Sequence, residues 1–188
     1  LESHPNQPFP FFASGLALNI NKKFNVALEI LQKGKLLVID NPLMESDFNQ
    51  QIGDAYYGVS NIKKAFIYYE LAIALNPNNS ILLNNYSYYL ALDKQNLNLA
   101  ESLIIKAIKL IPNSPTYLDT YGWVLFQRKE YLKAEQVLFK AVMLSNEKTG
   151  EILEHYGDVL YKLDKFDKAF IFWDKAQKTG KYSNQLLN

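Results

Sequence analysis

Residues 115–146 read PTYLDTYGWVLFQRKEYLKAEQVLFKAVMLSN, and this stretch contains two amphipathic helical patterns separated by a short polar turn at 128–130. In its first half, apolar residues recur at three- and four-residue steps, which is the spacing of one helix face: Leu118, Tyr121, Val124 and Leu125. Its second half carries a similar stripe at Tyr131, Ala134, Leu138, Ala141 and Leu144. The stretch therefore predicts a helical hairpin.

The same layout recurs along the chain. A small residue of the second helix returns after 34 or 35 residues, as Ala65, Ala100, Ala134 and Ala169. Another follows each of these by seven residues, as Ala72, Ala107, Ala141 and Ala176. Small side chains at these places allow the two helices of a hairpin to approach closely, and a larger residue would overpack the contact. A period of this length predicts a solenoid of stacked helical hairpins.

We interpret the 188 residues as a single solenoid domain, with repeats at about 8–42, 46–79, 80–113, 115–148 and 150–181 and a tail at 182–188. Ala27 and Ala65 are 38 residues apart, so we expect the second helix of the first repeat to be one turn longer. The repeat at 80–113 has one extra residue in its turn. Asn49 stands where the other repeats are apolar, and we expect the neighbouring Phe48 to supply the missing apolar group.

These repeats resemble the tetratricopeptide repeat family. The family pattern places Gly, Tyr, Ala, an aromatic residue and Pro in order over about 34 residues, and this chain matches it at Gly53, Tyr56, Ala65, Tyr69 and Pro77. The resemblance implies an all-α, right-handed superhelical solenoid of about five hairpins. Segments such as YGWVLF and HYGDVLY are similar to bacterial members of the family, some of them exported or attached to the envelope. The compartment is unknown; this similarity favours the bacterial envelope or periplasm, with the cytoplasm as the alternative.

The resemblance also implies a binding surface, because the first helix of each hairpin lines the concave side in this family. The outward positions of these helices carry aromatic, amide and carboxylate groups: Gln50, Asp54, Tyr57, Asn84, Asn85, Tyr88, Asp119, Trp123, Phe126, Glu154, Asp158 and Tyr161. Family members that clamp a C-terminal carboxylate have cations there, so that ligand is disfavoured. We expect a non-catalytic module whose partner is a protein or peptide with apolar and basic character.

Two alternatives stay open. The aromatic side chains of Tyr88, Trp123 and Phe126 would also be explained if they only filled space between successive first helices. A structural assembly scaffold, which docks other subunits through its ends or its convex face, is the second function, with Leu186 and Leu187 in the tail as candidate contacts. We expect a monomer or weak self-association.

Nothing in the sequence supports an enzyme, a cofactor or a metal site. The chain has no cysteine and two histidines that are far apart, His4 and His155. We expect His4 to be solvated and His155 to lie on the surface, with a groove contact as the alternative for His155. The net charge is +1, and lysines alternate with acidic residues in the last repeat, which disfavours nucleic acid. No apolar run reaches the roughly 18 residues of a membrane span, so we expect no membrane insertion.

Overall fold

The computed structural model describes residues 7–180 of the 188-residue chain. His4 and the tail at 182–188 lie outside the described residues. Within residues 7–180 there are ten α-helices and no β-strand: α1 (Pro8–Ile20), α2 (Phe24–Lys35), α3 (Pro42–Gly58), α4 (Ile62–Leu75), α5 (Ser80–Leu92), α6 (Leu97–Leu110), α7 (Pro115–Gln127), α8 (Tyr131–Leu144), α9 (Gly150–Lys162) and α10 (Phe166–Lys178). Consecutive helices form hairpins, and we call the first helix of each hairpin the A helix and the second the B helix.

The chain divides into two compact units, Leu1–Leu82 and Leu83–Asn188, and the boundary falls within α5. Unit 1 holds the hairpins α1–α2 and α3–α4. Unit 2 holds α7–α8, α9–α10 and α6 with most of α5. Successive helices pack together from α1 to α4 in unit 1 and from α6 to α10 in unit 2, and neighbouring A helices also touch, α1 against α3 and α7 against α9. Packing of this nearest-neighbour kind defines an all-α repeat solenoid. The interpretation as a single domain stays a prediction.

The recurring alanines lie where the period places them, at the buried centre of each hairpin. All eight are at most 1% exposed: Ala65, Ala72, Ala100, Ala107, Ala134, Ala141, Ala169 and Ala176. Glycines of the A helices complete the close approach from the other side. A Cβ atom on Gly53 would lie 2.6 Å from Cε1 of Tyr69, and one on Gly157 would lie 2.5 Å from Cδ1 of Trp173. The aromatic ring of the B helix therefore occupies the space that a side chain at the glycine would need.

The expectation of a longer second helix in the first repeat is wrong. The B helix α2 has 12 residues, and the extra turn belongs instead to the next A helix, α3, which has 17. The cause is local. The Asn41 side chain accepts a hydrogen bond from the backbone N–H of Met44 at 3.0 Å, and Pro42 stands at the first helical position. Because asparagine is a strong N-cap and proline suits the first turn, α3 begins at Pro42, within the segment predicted as the first repeat.

Two finer expectations are confirmed. The turn between α5 and α6 spans residues 93–96, one more than the three residues of the turn at 128–130. Phe48 is fully buried and supplies the apolar group next to Asn49. The side chain of Asn49 is also buried, and its Oδ1 accepts a hydrogen bond from Nζ of Lys35 at 2.6 Å. The polar residue at this apolar position is thus tolerated because it has a partner.

Candidate binding surface on the A helices

A buried histidine–aspartate pair links two A helices of unit 2. Nδ1 of His155, on α9, lies 3.0 Å and 3.1 Å from the two carboxylate oxygens of Asp119, on α7. His155 is 7% exposed and Asp119 is 5% exposed. The expectation of a surface histidine is therefore wrong, because the stacking of α9 on α7 covers this side chain. The pair lies on the helices that were predicted to face a ligand.

The charge state of His155 follows from two opposed effects. Burial by itself lowers the pKa of the imidazole, because it penalises the charged form. The charge and the hydrogen bond of Asp119, helped by the charges of Glu151 and Asp158, outweigh burial and raise the pKa of His155 to about 9. At neutral pH this histidine is therefore an imidazolium ion paired with Asp119.

Aromatic rings surround this ion pair. The ring of Trp123 stacks on His155 with centroids 4.2 Å apart and on Phe126 with centroids 4.8 Å apart. The ring of Tyr88 lies 6.5 Å from that of His155. The Tyr88 hydroxyl donates a hydrogen bond to Oε1 of Glu151 at 2.9 Å, although the two residues are 63 positions apart in the chain. Side chains from α5, α7 and α9 thus meet in one cluster.

Two predicted binding residues, Asp54 in unit 1 and Asp158 in unit 2, have equivalent internal partners. The Tyr69 hydroxyl donates to Oδ1 of Asp54 at 2.8 Å, and Nε1 of Trp173 donates to Oδ1 of Asp158 at 3.0 Å. In both hairpins the donor lies 15 residues later, on the B helix. These carboxylates therefore fasten the A helix to the B helix of their own hairpin.

In the other three repeats, both the aspartate and the B-helix donor are absent. At the place of Tyr69 and Trp173, the other three B helices have the residues Leu31, Ile104 and Leu138, which lack a polar donor. At the place of the aspartates, the matching A helices have Leu16, Tyr88 and Trp123. Aspartate therefore occurs where the B helix offers a hydrogen-bond donor, and an apolar or aromatic residue occurs where it does not.

Burial affects both carboxyl groups in the same direction. It raises the pKa of Asp54 to about 6, in spite of the hydrogen bond from Tyr69, which acts to lower it. It also raises the pKa of Asp158 to about 6, although the hydrogen bond from Trp173 and the charge of His155 lower it. The two groups are therefore only partly ionised just below neutral pH.

The twelve residues of the predicted surface divide between the units. In unit 1, Gln50 is half-buried and accepts a hydrogen bond from Asn79 at 3.3 Å, and Asp54 and Tyr57 are also half-buried. In unit 2 the buried members are Asn84, Asp119, Trp123 and Glu154, the half-buried ones are Asn85, Tyr88, Phe126 and Asp158, and the exposed one is Tyr161. Contacts with His155 join Tyr88, Asp119 and Trp123, whereas Tyr161 packs on Trp173 and Phe166 instead. A role for these twelve residues in binding stays a prediction.

Sequence reasoning missed the burial of His155 against Asp119 and the contact between Glu151 and Tyr88. Neither His155 nor Glu151 has a local signal, since both stand among charged neighbours on a helix that looks solvated. The useful signal lies in the alignment of the repeats. Glu154 is the equivalent of Asp119, 35 residues later, so His155 is offset from the aspartate by one repeat and one residue. That offset places the two side chains on adjacent faces of stacked A helices.

The A helices of unit 2 are acidic. They carry four carboxylates, Asp119, Glu151, Glu154 and Asp158. Their positive groups are two, the imidazolium of His155 and Lys162, the last residue of α9. Many of the cations of unit 2 lie on B helices or turns and have acidic partners there, for example Lys165 with Glu135 at 2.6 Å and Lys175 with Glu147 at 2.7 Å. The surplus of negative charge is therefore confined to one set of helices.

Other kinds of site were also sought within residues 7–180. This part of the chain contains no group of three or more His, Cys, Asp or Glu residues that could hold a metal ion. Its helices include none that is both long and apolar enough to cross a membrane. Unit 2 has a mainly apolar hollow of about 420 Å³ that is lined by residues of α6, α7 and α8, including Ile108, Tyr121 and Val137.

Comparison with known proteins agrees with this architecture. Residues 46–79 match the sequence profile of the tetratricopeptide repeat. Among solved structures, PilF of Pseudomonas aeruginosa is similar over 94% of this chain and 78% of its own, with 21% identity and a TM-score of 0.78. MamA of Desulfovibrio magneticus RS-1 is similar over 95% of this chain and 97% of its own, with 16% identity and a TM-score of 0.74. No curated protein matches the chain in sequence.

Fold and surface together define an all-α helical-repeat protein with an acidic and aromatic A-helix face. The sequence match identifies residues 46–79 as a tetratricopeptide repeat, and the other hairpins of the described chain share its helical layout. At 16–21% identity the likeness to PilF and MamA concerns the fold.

Proposed function

We propose that the protein is a non-catalytic protein-interaction module that binds a peptide or protein segment on the A-helix face of unit 2. The observation that carries this proposal is the charge distribution around His155. On α7 and α9, Glu151 is exposed, Asp158 is half-buried, and Asp119 and Glu154 are buried. The one lysine of these two helices is the last residue of α9. A surface of this kind attracts a segment with basic side chains.

The aromatic side chains on the same helices supply the apolar part of the surface. Tyr88 and Phe126 are half-buried, so their rings remain accessible in part. Tyrosine and tryptophan are frequent energetic centres of interfaces because they bury a large area with few rotatable bonds. A segment that alternates apolar and basic side chains fits both features. In unit 1, Gln50, Asp54 and Tyr57 are proposed as a separate set of contacts on the A helix α3.

The first test uses two synthetic peptide amides of equal length, one alternating Leu and Lys and the other alternating Leu and Glu. We expect the Leu/Lys peptide to bind at least about tenfold more tightly in isothermal titration calorimetry. Its affinity falls when the salt concentration rises from about 50 mM to about 500 mM, because screening weakens attraction between exposed charges. Equal affinities for the two peptides, or no binding of the Leu/Lys peptide, would contradict the proposal.

A matched pair of variants locates the surface. Glu151→Gln removes a carboxylate from the A helix α9 and is expected to weaken binding of the Leu/Lys peptide several-fold. Glu135→Gln removes an equivalent charge from the B helix α8, where it pairs with Lys165, and is expected to leave the affinity unchanged. A loss of the same size in both variants would show that binding follows net charge and not this surface.

A second candidate function, assembly through self-association, is favoured by a separate feature of α9 and α10. Tyr161, Phe166 and Phe170 are 44%, 45% and 64% exposed and form one aromatic cluster with Trp173. If a second copy of the chain covers this cluster, light scattering will show a mass that rises with concentration, and Phe170→Ser will abolish the rise. A constant monomer mass in the unmodified protein counts against this function.

A further inference from the structure

Trp123 contains a hydrogen-bond donor that the fold does not use. Its Nε1 is buried and has no hydrogen-bond partner within residues 7–180, and the side chain is 6% exposed. The other tryptophan, Trp173, donates its Nε1–H to Asp158 at 3.0 Å. A buried N–H without an acceptor loses its hydration and gains nothing in return. An acceptor that arrived with a partner would recover this loss.

An unused acceptor lies on the neighbouring A helix. Oδ1 of Asn84, on α5, is buried and has no hydrogen-bond partner in the described part of the chain, while its Nδ2 donates to Oδ1 of Asn85 at 3.2 Å. The repeat alignment pairs Tyr88, one helical turn after Asn84, with Trp123. Unit 2 thus offers one N–H donor and one carbonyl acceptor on aligned A helices. The main chain of an extended peptide carries the complementary groups at every residue.

The contact between Tyr88 and Glu151 spans the same region. It joins α5 to α9, on either side of α7 in the repeat order, and the Tyr88 ring also lies beside His155. The hydrogen bond is exposed, so water competes with it and its net contribution to stability is small. A basic side chain of a bound segment can therefore replace the Tyr88 hydroxyl as the partner of Glu151.

We propose that a bound segment is held by its main chain, one carbonyl oxygen of which accepts a hydrogen bond from the Nε1–H of Trp123. A basic side chain of the same segment pairs with the Glu151 carboxylate and replaces the hydrogen bond from the Tyr88 hydroxyl. This inference rests on the proposed function and adds to it the group that recognises the main chain. Trp123 acts through the edge of its indole, since both Phe126 and His155 stack on its ring. Recognition of this type fixes the position of the segment without requiring a particular side chain opposite Trp123.

The chain has two tryptophans, so a sample with ¹⁵N-labelled indoles gives two N–H signals in an NMR spectrum, and Trp173 serves as the internal reference. The Leu/Lys peptide amide is titrated into the unmodified protein. We expect the indole proton of Trp123 to move downfield and to exchange more slowly with solvent, while the signal of Trp173 stays in place. If the peptide binds in calorimetry but the Trp123 signal does not move, this inference is overturned and the proposed function stands. If the peptide does not bind, both are overturned.

Two substitutions are expected to act in opposite directions. Trp123→Phe keeps a stacked ring but removes the N–H, and we expect binding of the Leu/Lys peptide to weaken by about tenfold. Tyr88→Phe removes the competing hydroxyl and leaves Glu151 available, so we expect a few-fold tighter complex. Circular dichroism of each variant verifies the fold. Unchanged affinity in a folded Trp123→Phe variant, or weaker binding in Tyr88→Phe, would contradict the arrangement.

Discussion

Asp119→Asn is expected to destabilise the protein by about 3 kcal/mol near pH 6, because it removes the counter-ion of a buried imidazolium. In the unmodified protein the charges and hydrogen bond of the pair compensate for the burial of both groups. In the variant the burial effect prevails, so His155 gives up its proton on folding. Near pH 6 the imidazole of His155 is largely protonated in the unfolded chain, because its ordinary pKa is 6.5, so its deprotonation on folding costs free energy. The variant also loses the attraction between the imidazolium and the carboxylate.

The same pair gives the unmodified protein a defined pH dependence. The pKa of His155 is raised from 6.5 to about 9 in the folded state, so its stabilising contribution is complete below pH 6.5 and is lost as the pH rises through 9. A raised pKa of this size corresponds to roughly 3 kcal/mol over that interval. The groups that face His155 are the carboxyl groups of Asp119, Glu151 and Asp158 and the hydroxyl of Tyr88. Comparison with a variant that lacks the Asp119 carboxylate isolates the part of this pH dependence that comes from the pair.

Urea unfolding of the unmodified protein and of Asp119→Asn at about pH 6 and about pH 9 measures both effects. We expect the difference between the two proteins to be large at the lower pH and small at the higher one. Asp174→Asn removes an exposed carboxylate that pairs with Lys178 and serves as the control, with an expected change below about 0.5 kcal/mol. A similar stability of Asp119→Asn and unmodified protein near pH 6 would refute the buried ion pair.

The elements of the fold could be predicted from the sequence because they depend on short-range periodicity. The alanines of the B helices recur at a fixed step, and each marks a place where only a small side chain fits. Helix boundaries depend on weaker local signals. Asn41 and Pro42 form a capping pair that starts α3 one turn early, and the period alone assigned that extra turn to the wrong helix.

The candidate site was less predictable because its residues meet across repeats. His155 lies between Glu154 and Tyr156 in a segment with several charged residues, and the composition of that segment indicates a solvated helix. Its burial depends on the partner 36 residues earlier, Asp119, and on the ring of Trp123. A helix-face argument sorts residues into outward and inward positions, but the outward positions of one A helix are partly covered by the next. The outward set therefore contains both exposed and buried members.

Asp54 illustrates a different difficulty, since its predicted role rests on a charge that the fold disfavours. The sequence places it with the acidic residues of the surface, whereas the structure ties it to Tyr69 and to Nε2 of Gln51, the latter at 3.2 Å. Its position depends on the hydroxyl group 15 residues later. A comparison of A-helix and B-helix positions within each hairpin detects this dependence, because aspartate and polar donor occur together in two of the five repeats.

Asp54→Asn is expected to stabilise the protein by about 2 kcal/mol at pH 7, although it removes a hydrogen-bonded carboxylate. The pKa of Asp54 is raised from 3.8 to about 6, mainly by burial, so the folded state favours the protonated form. A group with a raised pKa contributes stability below pH 3.8 that is lost as the pH rises through 6. At pH 7 the ionised carboxylate therefore opposes folding. Asparagine has no charge, and its Oδ1 still accepts the hydrogen bond from Tyr69.

The gain is smaller than the full shift in pKa would give, because the new side-chain amide at position 54 meets the donor group of Gln51. Gln51 is not able to turn its amide without cost, since its Oε1 accepts a hydrogen bond from Asn19 at 3.1 Å. Thermal unfolding at pH 7 and at about pH 4 separates the effect of removing the charge from the effect of the contact with Gln51. The gain from removing the charge disappears at the lower pH, where Asp54 is protonated in the folded protein. Glu29→Gln, on the exposed side of α2, is the control and should change stability by less than about 0.5 kcal/mol at both pH values. An Asp54→Asn variant that is less stable than the unmodified protein at pH 7 would mean that Tyr69 requires a charged acceptor, and that the carboxylate at this position stabilises the hairpin in its ionised form.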